Sequence, residues 1–244
     1  AMRMNGYVLT MILGTDLESY FRENVARPIG MPDASWSWGN YAWDDMSNPD
    51  GADVRNACSN FNVTARELSR LGHLYLNRGD WGGTRIIRAA WVDQATSVQV
   101  PADMEGRDDS PRQQSLSADG IGRYGYNWWT NGANLDGQRP WPDAPAGTYA
   151  ASGYNNNQCF VIPEWSMVIV RMGTDGSPGN SDGVWSVFLG MVGDALLGGE
   201  PQEVTGFVLV NADTDSDAGP IADGGTINLA DPPGRNLNVR AETN

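Results

Sequence analysis

Few side chains in this chain can carry catalysis, and their types narrow the chemistry at once. There is one histidine, His73, and there are two cysteines, Cys58 and Cys159. All 16 basic residues are arginines, against 30 acids, for a net charge of −14. With no lysine, a Schiff base, a phosphate-loop ATPase and a Ser-x-x-Lys nucleophile are all excluded within the chain. A His/Cys zinc cluster needs more than one histidine and two cysteines unless carboxylates complete it. No Gly-x-Ser-x-Gly elbow is present to offer a serine to His73. His73 lies about 140° around its helix from Leu68, at the edge of the apolar face, and reads as structural or solvent-facing.

The densest polar run is Ser152-Gly153-Tyr154-Asn155-Asn156-Asn157-Gln158. Two readings stay open for it. One is a strand edge facing a site; the other is a turn in which asparagines tolerate a left-handed backbone. Arg171, ending a β-branched run, suits either a substrate carboxylate or a structural ion pair, and the ion pair is the simpler expectation. Asp213-x-Asp215-x-Asp217 opens like a calcium loop, but Gly219 is one place late and Gly224 stands where a glutamate is required. With 30 acids no carboxylate pair is singled out for glycoside hydrolysis. Asn62-Val63-Thr64 fits a glycosylation acceptor but reads better as a helix N-cap. The ten tryptophans are scattered in a way that suits packing rather than sugar stacking.

The elements that must position these groups follow from periodicity and punctuation. Tyr7 to Leu13 reads as a buried helix, and Thr15-x-x-Glu18 as a capping box for a helix carrying Leu17, Tyr20, Phe21 and Val25. Pro28 and Gly30 end it. Residues 32 to 60 read as a long structured loop. A second capping box, Thr64-x-x-Glu67, opens a helix with Leu68, Leu71 and Tyr75 on its core face, stopping at Asn77-Arg78-Gly79. Ile86 to Ala95 is a shorter helix, and 101 to 122 a polar loop. Strands are expected at Tyr124–Trp129, Gln158–Ile162 and Met167–Met172, the last two joined by a Pro163–Ser166 turn with Phe160, Ile162 and Val168 against helices. Val184–Leu197 reads as a helix ended by glycines. Residues 199–204 read as a linker. Residues 205–244 hold three short strand-like runs, too few for a sandwich core, and read as an incomplete β module.

The order of these pieces resembles the serine β-lactamase and penicillin-binding-protein-like hydrolases. Gly6-Tyr7-Val8-Leu9 through Pro28-Ile29-Gly30-Met31 is similar to that family's helix pair ending in Pro-Leu-Gly-Met. Asn62 to Leu68 resembles its Ser-Thr-Ala-Arg-Asp-Leu helix start. Gly79-Asp80-Trp81-Gly82-Gly83 with Trp91-Val92 resembles its Gly-x-Trp-x-Gly segment. Tyr124-Gly125-Tyr126-Asn127-Trp128-Trp129 and Gly153 to Gln158 with Pro163 and Val168-Ile169-Val170 are similar to its strand and hairpin signatures.

The resemblance implies an α+β fold, an antiparallel sheet flanked by helices, here partial. Residues 1–198 would be the downstream portion of the hydrolase domain. It implies acylation of an amide or ester on a serine, with no cofactor and no metal. The family's Ser-x-x-Lys is absent here and belongs upstream. Its Tyr-x-Asn would fall near Met2-Arg3-Met4, where the phenol is missing and Asn5 lies one place from the amide. Its third motif corresponds to Ser152–Gln158 without a basic residue. Catalytic residues are therefore unassigned in this chain, and the substrate-binding set implied is Asn5, Tyr7, Ser152, Gly153, Tyr154, Asn155, Asn156, Asn157 and Gln158. Cys58 and Cys159 are both implied to lie near the pocket, with a disulfide left open.

The partner implied is a small-molecule amide or ester. The acidic surface argues against nucleic acid, and no apolar run is long enough for a membrane span. The start of the chain lacks a signal-peptide pattern, so a trimmed or partial chain is expected, and the parent protein is expected to be secreted or periplasmic in a bacterium. The competing reading is a non-catalytic binding or surface-adhesion protein on a hydrolase scaffold.

Overall fold

A computed structural model describes residues 2–40, 51–104, 120–173 and 182–197. The expected linker at 199–204, the expected β module at 205–244 and most of the expected 101–122 loop lie outside these residues. The chain divides into two compact units, Ala1–Gln94 and Ala95–Asn244. Its mixed helices and antiparallel strands make it an α+β protein, as expected.

The first unit opens with α1 (Met2–Leu13) and α2 (Leu17–Phe21). Asp16, not Thr15, caps α2: its carboxylate accepts from the Ser19 N–H at 3.1 Å. The box is displaced by one residue because a carboxylate caps as well as a hydroxyl and sits three residues before an available donor. The helix runs on as a π-helical turn, Arg22–Ala26, before stopping at 27–30. The expected 32–60 loop contains strand β1 (Trp36–Trp38), paired antiparallel with β2 (Phe61–Val63). Thr64 caps α3 (Ala65–Leu76) through its hydroxyl, which accepts from the Glu67 N–H at 3.3 Å. A two-residue hairpin, β3 (Asp80–Trp81) with β4 (Thr84–Arg85), precedes α4 (Ala89–Ala95). Before that hairpin Gly79 has φ +81°, and a Cβ there would lie 2.2 Å from the Ile87 carbonyl oxygen, so only glycine fits.

The core of this unit joins Ala26, Ile29, Met31, Trp36 and Leu74, with Phe21, Phe61 and Leu71 against it. Phe21 meets Trp36 edge-on at 5.1 Å and Phe61 at 5.5 Å, a favoured quadrupolar geometry. On α3 Leu74 is buried in this core and the half-buried Leu71 packs against it, whereas Leu68 and Tyr75, also half-buried, lie outside the cluster. The buried positions of α3 are Glu67, Gly72 and Leu74, so of the three residues expected on the core face only Leu71 packs against the cluster. α1 departs further from expectation. Among its described side chains only Gly6 and Thr10 are buried, while Met4, Val8, Leu9, Met11 and Ile12 are exposed, Ile12 by 73%. An unbroken apolar run does not by itself say which sides are covered.

The second unit is built on a four-stranded antiparallel sheet ordered β5 (Trp129–Thr130), β6 (Tyr149–Ser152), β7 (Gln158–Ile162) and β8 (Met167–Arg171). The Tyr124–Trp129 run is mostly a turn rather than a strand. Asn127 is left-handed at φ 61°, and the Gly125 N–H closes onto the Trp128 carbonyl at 2.8 Å. β7 and β8 stand as expected, joined at 163–166 with Ser166 at φ 50°. β6 was not expected as a separate strand.

α5 (Asp182–Leu197) brings Trp185 and Leu189 into a core with Trp141, Ala144, Ala150, Phe160 and Ile162. Ile169, not Val168, shares that face: Phe160 is opposite Ile169, while Val168 is opposite Val161. Of the tryptophans, Trp36, Trp128, Trp141 and Trp185 are buried and serve packing, whereas Trp91 is exposed. No helix among the described residues is long and apolar enough to cross a membrane.

Candidate functional site

The polar run resolves into the end of β6, a turn, and the start of β7. Cross-strand register places Ser152 opposite Gln158 and Gln158 opposite Arg171. Residues directly opposite share a sheet face, so Ser152, Gln158 and Arg171 form one row. They share it with Ala150 and Phe160, the face that meets Trp185 and Leu189. Ala151 and Cys159 are opposite one another on the other face. Within the row, Gln158 is buried and its Nε2 donates to the Ser152 Oγ at 2.9 Å.

Between the strands, Asn155 (φ 59°, ψ 32°) and Asn156 (φ 58°) are both left-handed. The turn reading thus describes the backbone, and the site-facing reading concerns what the asparagines present. Left-handed backbone costs an ordinary residue about 1–2 kcal/mol, which asparagine reduces through local hydrogen bonding. The turn is tied at three points. The Gly153 N–H donates to the Asn157 carbonyl at 2.8 Å. The Gly173 N–H donates to Asn157 Oδ1 at 2.8 Å. The Arg171 Nη1 donates to the Asn155 carbonyl. Asn155, Asn156 and Asn157 are half-buried and Gly153 is exposed; for Tyr154 the backbone alone is described. Arg171 makes no ion pair among the described residues, against the simpler expectation. The register spends its guanidinium on a backbone carbonyl instead.

In the first unit, Asn5 is exposed on α1 and Tyr7 half-buried. Gly6 between them lets the helix approach the neighbouring loop, since a Cβ there would lie 2.7 Å from the Ala57 Cβ.

Other candidates have simpler roles. His73 packs edge-on against Trp81 at 5.3 Å, and its Nε2 lies 3.0 Å from Asn77 Nδ2. Partial desolvation lowers its pKa, and no serine hydroxyl among the described residues bonds to it. No disulfide joins the two cysteines. Cys58 is exposed, with its Sγ 3.0 Å from Asn56 Oδ1. Cys159 is wholly buried, and that burial pushes its thiol up to about 12. No cluster of three metal-binding side chains occurs among the described residues. Chemically, the turn offers hydrogen bonds but no nucleophile and no base.

The residue that sequence reasoning left outside the site is Arg171. The signal was present: a four-residue turn at 163–166 pairs Ile162 with Met167 and so brings Arg171 opposite Gln158.

The chain is similar in structure to a β-lactamase candidate from Bacteroides dorei DSM 17855, at 16% identity and a TM-score of 0.47, covering 72% of this chain and 50% of that one. It is similar to a 6-aminohexanoate-dimer hydrolase candidate from Bacillus anthracis, at 20% identity and a TM-score of 0.39, covering 65% and 34%. It is also similar to a penicillin-binding protein homolog from Caulobacter crescentus, at 18% identity and a TM-score of 0.41, covering 67% and 48%. The chain spans half or less of the length of these three structures. No protein-family model matches the chain, and no curated protein matches it.

Proposed function

We propose that this chain is the downstream part of a secreted serine hydrolase of the β-lactamase-like kind, acting on an amide or ester through an acyl-enzyme. Residues 1–198 belong to that hydrolase and 205–244 to an attached module. The observation that supports the reading is the antiparallel β6–β7 pair with the polar turn at 153–157 between its strands, the segment whose sequence resembles the family's third motif. The nucleophilic serine and its lysine come from a segment upstream of Ala1, because this chain holds no lysine at all. Deacylation by water completes the cycle. On this reading the turn contributes hydrogen bonds that hold the substrate.

A non-catalytic binding protein is the second reading, and a specific observation favours it: the tyrosine expected for proton transfer is replaced by Met2. The upstream coding sequence separates the two. A Ser-x-x-Lys within it supports the hydrolase, and its absence supports the binding protein. Against nitrophenyl acetate the chain alone should stay at the blank rate. Turnover above blank, abolished by a serine-reactive phosphonate, overturns the assignment of the nucleophile to an upstream segment.

A further inference from the structure

Arg22, Arg27, Arg55, Arg70, Arg78 and Arg85 each form an ion pair with a carboxylate. Arg171 does not among the described residues, in a chain with 30 acids. It is half-buried at the end of β8, two residues before Gly173, and its guanidinium donates to the Asn155 carbonyl. A guanidinium removed from water needs compensation, and a charge-assisted bond to a carbonyl supplies it. The carbonyl chosen belongs to the first of two consecutive left-handed residues.

We propose that Arg171 is a positioning residue of the candidate site, holding the Gly153–Asn157 turn in its left-handed form from the neighbouring strand. The proposal rests on reading this turn as the substrate-facing segment. Without the clamp, Asn155 and Asn156 revert to right-handed or extended backbone, as L-residues prefer. Their side chains then leave the positions seen in the turn. The same strand end reads the turn twice, through Arg171 at Asn155 and through the Gly173 N–H at Asn157 Oδ1. Reversion at Asn155 therefore also opens the contact at Gly173.

Hydrogen exchange on the whole chain tests this. In Arg171→Ala the Gly153 and Gly173 amides, which close the turn, should exchange about tenfold faster, as loss of one charge-assisted bond implies. The Phe160 and Val161 amides in β7 should keep their protection. Adding Asn155→Gly and Asn156→Gly to Arg171→Ala should restore protection at Gly153, because glycine takes the left-handed form without steric cost. Arg171→Lys should keep part of the protection. Unchanged exchange in Arg171→Ala overturns the proposal. So does a loss spread evenly over β7 and β8, or a failure of the glycines to rescue, since either marks a general packing role. The experiment reads backbone conformation without turnover, so absence of hydrolase activity leaves its outcome unaffected.

Discussion

Asn131 and Trp141 are locked together by a reciprocal pair of hydrogen bonds in the interior of the second unit. The Trp141 N–H donates to Asn131 Oδ1 at 3.0 Å, and Asn131 Nδ2 donates to the Trp141 carbonyl at 2.8 Å. The same Nδ2 reaches the Pro145 carbonyl at 3.0 Å. Asn131 is wholly buried. It organises a loop that has no regular structure of its own, and the loop then delivers Trp141 to Phe160 at 5.1 Å.

Asn131→Ala should therefore destabilise the chain by about 3 kcal/mol, because it strands a buried N–H and several carbonyls. Urea denaturation followed by tryptophan fluorescence measures this. A loss below about 1 kcal/mol would show that the loop satisfies those groups without the asparagine.

Asp16 and Arg55 give a second prediction. Arg55 Nε lies 2.9 Å from Asp16 Oδ1, and its Nη1 lies 3.2 Å from Glu18 Oε2 and donates to the Trp38 carbonyl at 3.0 Å. Burial raises the Asp16 pKa, but hydrogen bonds from Ser19 and Arg55 outweigh it and the net shift is downward. A carboxyl lowered in the folded state stabilises above its unfolded pKa, about 3.9, and loses that contribution as pH falls through the folded value. Asp16→Ala should cost about 1 kcal/mol near neutral pH through the lost cap. It should also flatten the decline in melting temperature below about pH 4. A parallel decline in both proteins would remove Asp16 as its source.

The thiols should differ sharply in reactivity. Cys58 is exposed, whereas Cys159 is wholly buried with its thiol pushed up to about 12. The thiolate is the reactive form. Ellman's reagent at pH 8 should titrate one thiol per native chain and two in guanidinium, with Cys58→Ser abolishing the native signal. Two fast-reacting native thiols would contradict the burial of Cys159.

His73 should titrate below the usual histidine value, because desolvation beside Trp81 disfavours its charged form. A histidine lowered in the folded state stabilises above its unfolded pKa, about 6.5, and that contribution fades as pH falls towards the folded pKa. Proton NMR of the single imidazole reads this directly. A midpoint above 6.5 would require a carboxylate partner, and none pairs with His73 among the described residues.

Several features were legible in residue order because they are local. The Thr64 cap, the stop at Asn77-Arg78-Gly79, the β7–β8 hairpin and α5 each rest on contacts within a few positions. Residue counts also settled that the chain contains no lysine-dependent chemistry. Local chemistry likewise allowed the asparagine run to be a turn, since asparagine tolerates positive φ.

What tertiary structure decided is which side each residue faces and what meets it there. Tyr7 to Leu13 is apolar throughout, so periodicity could not say that, among the described side chains of α1, only Gly6 and Thr10 are covered. Tyr124 to Trp129 has strand composition, yet the left-handed Asn127 folds it back on itself. Arg171 had acids enough to pair with, and only the register of three strands set it beside the Asn155 carbonyl. Side-chain type sets what a group can bind. The approach of segments distant in sequence sets what it does bind, because hydrogen bonds and packing act over a few ångströms of space rather than along the chain.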